Sequence, residues 1–113
     1  MHELSLAEGL IEILTEEASK QAYRQVRKVV LEIGEFSHVA PDAMRFCFEI
    51  AAQGSVAEGA VLDLTFRQAM GECRCCGESV VMHSRYDACP ACGAYGIRVV
   101  EGEDMSIKYI EVV

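Results

Sequence analysis

The sequence is poor in positive charge. Ten Lys+Arg stand against eighteen Asp+Glu, giving a net charge of −8 and a pI near 4.8. Nucleic-acid binding rests on neutralised phosphates, so this balance has the wrong sign for it, and proteins or cations are the expected partners. No apolar run approaches the roughly 18 residues that a membrane span needs. Met1-His2-Glu3 carries neither a basic flank nor an A-x-A cleavage site, so no secretory signal is expected and the chain reads as cytoplasmic. Internal repeats and low-complexity segments are missing. So are a Ser/His/Asp nucleophile pattern, a phosphate-binding glycine loop and a carboxylate pair, and no enzymatic activity is expected. What is present is enough to fold: 113 residues, 51% hydrophobic and 25% charged, suit one compact domain or a small domain with an appended module.

Periodicity divides the chain into three pieces. In the first, to about Met70, Leu4, Ala7, Leu10, Ile11, Leu14 and Ala18 recur at helical spacing, with Glu8, Glu12, Glu16 and Lys20 on other faces, which predicts an amphipathic helix over 4–22. Val29, Leu31 and Ile33 alternate with Lys28, Val30 and Glu32, a strand with one buried face ending at Gly34. Pro41 and Asp42 suit the first turn of a second helix, Met44, Cys47, Phe48 and Ala51 its apolar face, and Gly54 its stop. Leu62, Leu64 and Phe66 then alternate with Asp63, Thr65 and Arg67 in a second strand.

The second piece, about 71–97, holds five cysteines, four glycines and almost no large apolar residue. It is not expected to build a core, and segments this short usually depend on metals or disulfides. The third, 98–113, reads as a hairpin turning at Glu101-Gly102-Glu103-Asp104, its last arm returning to the first sheet. The predicted fold class is α+β: a small sheet with two helices packed on it, formed by 1–70 and 98–113, and an inserted zinc-ribbon-like module over 71–97.

Five of the six cysteines fall between Cys73 and Cys92, and clustering of this kind favours a metal over a disulfide framework. Cys73-Arg74-Cys75-Cys76-Gly77 and Cys89-Pro90-Ala91-Cys92-Gly93 are two C-x-x-C-G knuckles, with twelve residues between Cys76 and Cys89. Two intervening residues let both thiolates reach one ion, and the trailing glycine permits the tight turn. Four thiolates make a closed tetrahedral site with bonds of about 2.3 Å, suited to Zn²⁺ and structural in role. Cys73 and Cys76 keep the two-residue spacing, whereas Cys75 reads as a free thiol, though its position inside the knuckle leaves the exact set open. A redox dithiol and a rubredoxin-type iron site are the competing readings of the same cysteines.

Met1-His2-Glu3 can chelate if its amine is free. The Met1 amine, the His2 backbone nitrogen and a His2 ring nitrogen can wrap one ion, and the Glu3 backbone nitrogen closes the fourth corner. Four nitrogens in a plane suit Ni(II) or Cu(II). This terminus, the amphipathic helix that follows it, Leu31-Glu32-Ile33-Gly34-Glu35-Phe36-Ser37, Phe46-Cys47-Phe48-Glu49, the 54–60 segment and the late paired knuckles together resemble the HypA/HybF family of hydrogenase-maturation nickel-incorporation proteins. The resemblance covers essentially the whole chain in motif order. It implies a nickel metallochaperone that delivers Ni(II) to the large subunit of [NiFe] hydrogenase beside a maturation GTPase, with urease as a further recipient in some organisms. It further implies that His2 is the nickel imidazole ligand, that Glu3 contributes its backbone nitrogen, that Met1 is retained, and that Cys73, Cys76, Cys89 and Cys92 hold zinc. Monomer and homodimer both remain open, as does a zinc-ribbon docking module that transports no metal.

Other chemistry-bearing residues are read as structural. His38 falls in a loop and His83 lies between knuckles that already supply four thiolates. Cys47 sits on an apolar helix face as a small hydrophobe. Glu101, Glu103 and Asp104 read as a solvated turn.

Overall fold

A computed structural model describes residues 2–113. Two helices and six strands follow one another as α1 (His2–Gln21), β1 (Val26–Gly34), α2 (Pro41–Ala52), β2 (Val61–Arg67), β3 (Ala69–Cys73), β4 (Ser79–Met82), β5 (Ile97–Glu101) and β6 (Met105–Val112). They form two compact units, one of residues 2–31, 39–65 and 107–113, the other of 32–38 and 66–106. The second unit is thus wider than the 71–97 segment marked out by the cysteines. The architecture is α+β, with two three-stranded sheets ordered β2-β1-β6 and β4-β3-β5.

In the first unit, α1 buries Ala7, Leu10, Leu14 and Ala18 and leaves its glutamates at 8, 12 and 16 in water. It ends at Ala22, whose φ of 58° is the left-handed turn that stops a helix. The Tyr23 hydroxyl, 2.7 Å from the Leu14 carbonyl, ties the following chain back to the helix. α2 opens with Pro41, which loses no helical hydrogen bond at that position, and buries Met44, Cys47, Phe48 and Ala52. β1, whose residues from 32 onward belong with β2 residues 66–67 to the second unit, buries more residues than any other element: Val26, Val29, Leu31 and Ile33 are buried, and so is Val30, so the strand is covered on both faces rather than one. Each fully buried Leu, Ile or Phe here stabilises the fold by about 1.5–3 kcal/mol relative to exposure. Along β1 and β2 the ion pairs Lys28–Asp63 and Glu32–Arg67 advance in the same chain direction, the mark of parallel strands joined through a helix. Of the apolar face expected on β2, Leu62 is buried and Leu64 half-buried, but Phe66 is 54% exposed.

In the second unit, β3 is central and antiparallel to both β4 and β5. Gly71 pairs with Val80 on one side and Val99 on the other, with a register shift at Met70/Gly71. Gly71 is required by close packing: a Cβ there would lie 2.4 Å from the Ile97 side chain and 2.5 Å from Met82 Sδ. Ala69, Cys73, Val80, Met82, Cys89 and Ile97 form a buried cluster, with Phe36, Ala94 and Val99 packed against it. The segment expected to lack a core therefore has a small one. It is completed by Ala69, Phe36 and Val99 from outside 71–97, and two of its buried members are knuckle cysteines.

The expected hairpin over 98–113 does not form. Its last arm, β6, joins the β2-β1-β6 sheet as anticipated, but β5 belongs to the other sheet. The reason lies at the turn between them. Its carbonyls are taken elsewhere, Gly102 accepting from the Phe36 N–H at 2.7 Å and Asp104 from the Gly34 N–H at 2.8 Å. Gly102 has φ 105° and sits so close to Ala69 that a Cβ would lie 2.6 Å from its Cα. The backbones meet there because side chains are missing.

Candidate metal centres

The two knuckles are built alike. In the first, the Gly77 N–H donates to the Cys73 carbonyl at 2.9 Å and the Cys73 N–H to the Glu78 carbonyl at 3.0 Å. In the second, Gly93 donates to Cys89 at 2.7 Å and Cys89 to Ala94 at 2.8 Å. Gly77 and Gly93 have φ of 77° and 76°, which a side chain would strain. The end of β3 carries the first knuckle and its pairing of Cys73 with Ile97 seats that cysteine in the buried cluster.

These turns bring four sulfurs together. Cys73 and Cys92 Sγ lie 3.6 Å apart, Cys76 and Cys89 Sγ 3.7 Å apart, and all four are within 4.8 Å of one another. A tetrahedron with bonds of about 2.3 Å has edges of about 3.8 Å, so the set fits a four-coordinate ion of zinc size. Cys73 and Cys89 are buried and Cys76 and Cys92 exposed. Cys75, exposed on the same turn, is not among the converging sulfurs.

The electrostatics fit a cation. N–H groups of Cys76 and Cys75 aimed at Cys73 outweigh its burial and bring its thiol down to about 6. At Cys92 the Ala94 N–H also favours the thiolate, yet contact with Cys73, burial, and contacts with Cys76 and Cys89 together push it up to about 12. Cys76 is raised as well: the Glu78 N–H acts against burial and the neighbouring sulfurs and loses to them. The first proton leaves this cluster readily and the last one does not, because thiolates in contact repel. A bound cation removes that conflict.

The N-terminal candidates are placed in part. Met1 and its amine lie outside the described residues. His2 is exposed and is the first residue of α1. The Glu3 carboxylate accepts the Ala40 N–H at 3.2 Å. Ala40 is the N-cap of α2 and offers no side-chain cap of its own; Glu3, from another helix, satisfies the N–H of Ala40 itself. The Ala40 N–H, and secondarily Glu3's own N–H, hold the Glu3 carboxyl below its ordinary value.

The remaining candidates stay apart from the sulfurs. His38, with φ 62°, is exposed in its loop. His83 is exposed, and its backbone N–H together with that of Ser84 donates to Asp87 at 2.8 and 3.1 Å, holding the Asp87 carboxyl low. Cys47 is buried in α2. In the acidic turn Glu103 pairs with Arg85 at 2.8 Å. Arg85 was not singled out by any sequence pattern, yet it also donates to the Phe36 carbonyl at 3.2 Å and lies 5.0 Å over the Phe36 ring. Its partners are too distant along the chain for spacing to reveal them.

A closed set of four thiols on a small α+β frame defines a metal-binding protein. A family model described as hydrogenase/urease nickel incorporation, metallochaperone, HypA matches residues 1–112. The chain is 46% identical to hydrogenase maturation factor HypA 2 of Bradyrhizobium diazoefficiens and 46% identical to hydrogenase maturation factor HypA of Bradyrhizobium sp. strain ORS 278, covering 99% of this chain and of each relative. It is similar to the solution structure of the Ni metallochaperone HypA from Helicobacter pylori, with a TM-score of 0.76 and 26% identity over 98% of this chain and 97% of that one. The chain belongs to the HypA family, a family of metallochaperones and not of enzymes. Among the described residues no helix is long and apolar enough to cross a membrane.

Proposed function

We infer that this chain is a cytoplasmic nickel carrier. It holds Ni(II) at a terminal chelate of the Met1 amine, the His2 backbone and ring nitrogens and the Glu3 backbone nitrogen, and hands it to the large subunit of [NiFe] hydrogenase in concert with a maturation GTPase. The full-length likeness to hydrogenase maturation factors carries this reading, and the family description keeps urease as a further recipient. The local geometry supports it. The first N–H groups of a helix have no intrahelical acceptor, so metal at the His2 and Glu3 nitrogens breaks no helical hydrogen bond. The Glu3 carboxylate is engaged by the Ala40 N–H and secondarily by Glu3's own N–H, a contact that metal at the Glu3 nitrogen would release. An exposed His2 leaves the ion open to attack by an incoming ligand, which a carrier needs.

Cys73, Cys76, Cys89 and Cys92 bind zinc in this reading, and the ion closes the second unit without a position for substrate. The nickel-binding unit is the α1–α2 unit and the zinc-binding unit is the one built on β3.

The test is a nickel titration of tag-free, zinc-loaded protein beginning at Met1, run beside His2→Ala and a form extended before Met1. Binding of one Ni(II) by the first alone, with zinc retained throughout, is the expected result. Equal binding by all three would defeat the terminal chelate and favour a zinc-bearing docking module.

A further inference from the structure

The solvent side of α2 carries apolar surface that nothing in the chain's first unit covers. Phe46 and Ile50, one turn apart, are 62% and 46% exposed and form a single ridge. Two concavities of about 450 and 590 Å³ lie between α2 and the 57–63 segment, and both are lined by Phe48, Glu49, Gly59 and Ala60. Shared walls make them one groove. At its end stands β2, whose Val61 is 57% exposed and which is an outer strand of the β2-β1-β6 sheet. The outward N–H and C=O groups of an outer strand are open to pairing with another chain.

Charge selects the occupant. Glu49 and Glu58 line the groove, and among the described residues no ion pair engages either one. Of the cations nearby, Arg45 is taken by Asp42 and Lys28 by Asp63, while Arg24 lies on the far side of Glu58, away from Glu49. A second copy would bring the same carboxylates, on a chain of net charge −8, against themselves. We propose that the groove docks an extended segment of a partner protein, apolar at its centre and flanked by Lys or Arg, added as a strand to the outer edge of β2. The added main chain supplies pairing that is indifferent to side chains, the apolar centre covers Phe46 and Ile50, and the flanking cations meet Glu49 and Glu58.

The probe is an acetylated, amidated octapeptide with two lysines at each end of a Val-Leu-Val-Leu centre, titrated into the zinc-loaded full chain and followed by backbone amide shifts. Saturable shifts confined to α2, 57–63 and β2 are expected. A counterpart with glutamate in place of lysine should bind at least tenfold more weakly. Glu49→Gln with Glu58→Gln should weaken the lysine peptide roughly five- to tenfold. Phe46→Ala with Ile50→Ala should abolish saturation; both positions are exposed, so the thermal midpoint should stay within a few degrees. The proposal falls if no saturable shift appears at about 1 mM peptide, if the two peptides bind alike, or if shifts centre on the Glu8, Glu12 and Glu16 face of α1. It also falls if the same groove residues shift with protein concentration alone, which would give the groove to a second copy.

Discussion

Replacing Gly34 with alanine should unfold the zinc-bearing unit at a much lower temperature, through contact rather than conformation. Gly34 does not have a positive φ, so alanine is allowed there by its own backbone. Its new methyl, however, would lie 2.1 Å from both the carbonyl carbon and oxygen of Gly102, where carbon contacts need about 3.5 Å. Gly102 cannot retreat, because it rests on the backbone of Ala69. Separation would therefore break the Phe36–Gly102 and Gly34–Asp104 hydrogen bonds of 2.7 and 2.8 Å. Two net hydrogen bonds at about 1 kcal/mol each and overpacking of about 1–3 kcal/mol sum to about 3–5 kcal/mol. A domain of this size loses about 4–8 °C per kcal/mol, so the midpoint should fall by upwards of about 10 °C. The Arg85–Glu103 pair and the Phe36 ring, both attached to these segments, should loosen with it. Gly9→Ala is the control: nothing beyond the helix's own backbone lies within 4 Å of its added Cβ, and mid-helix alanine should stabilise α1 by about 0.5–1 kcal/mol. Calorimetry of the two zinc-loaded variants decides the matter. A Gly34→Ala midpoint within 2 °C of the parent, in order of magnitude the yield of a neutral surface change, would refute the close approach.

Chelation of the metal should melt the second unit while leaving α1 helical, because Cys73 and Cys89 belong to its small core; amide exchange should lose protection over β3–β5 first, and simultaneous loss over α1 would contradict this. Cobalt substituted for zinc should give the charge-transfer bands of a tetrathiolate in the parent and in Cys75→Ser but not in Cys92→Ser. Loss of those bands in Cys75→Ser would place Cys75 in the ligand set. Because the folded carboxyl of Glu3 is depressed, its tie to Ala40 is complete above its ordinary value of 4.5 and is lost as pH falls through the lower folded value. The Ala40 amide shift should titrate below 4.5, and a midpoint at or above 4.5, or no change in Glu3→Gln, would break the assignment.

What the amino-acid order determined alone was local. The α1 apolar spacing, Pro41 at the head of α2, the strand at β1 (though not its single buried face) and the two C-x-x-C-G turns each depend on residues within a few positions, where periodicity and turn chemistry act directly. Tertiary structure decided everything that depends on residues distant in the chain. It chose four converging sulfurs and left Cys75 outside them, since facing turns and not spacing set which thiols meet. It made strands of 69–73 and 79–82, segments too short to announce themselves, by pairing both with a common core. It separated β5 from β6 because Gly34, Ala69 and Gly102 approach within backbone contact, and it turned Glu3 into the cap of a helix that starts at Pro41. Short-range propensity is written in neighbouring residues, whereas long-range pairing becomes visible only when packing brings its two halves together.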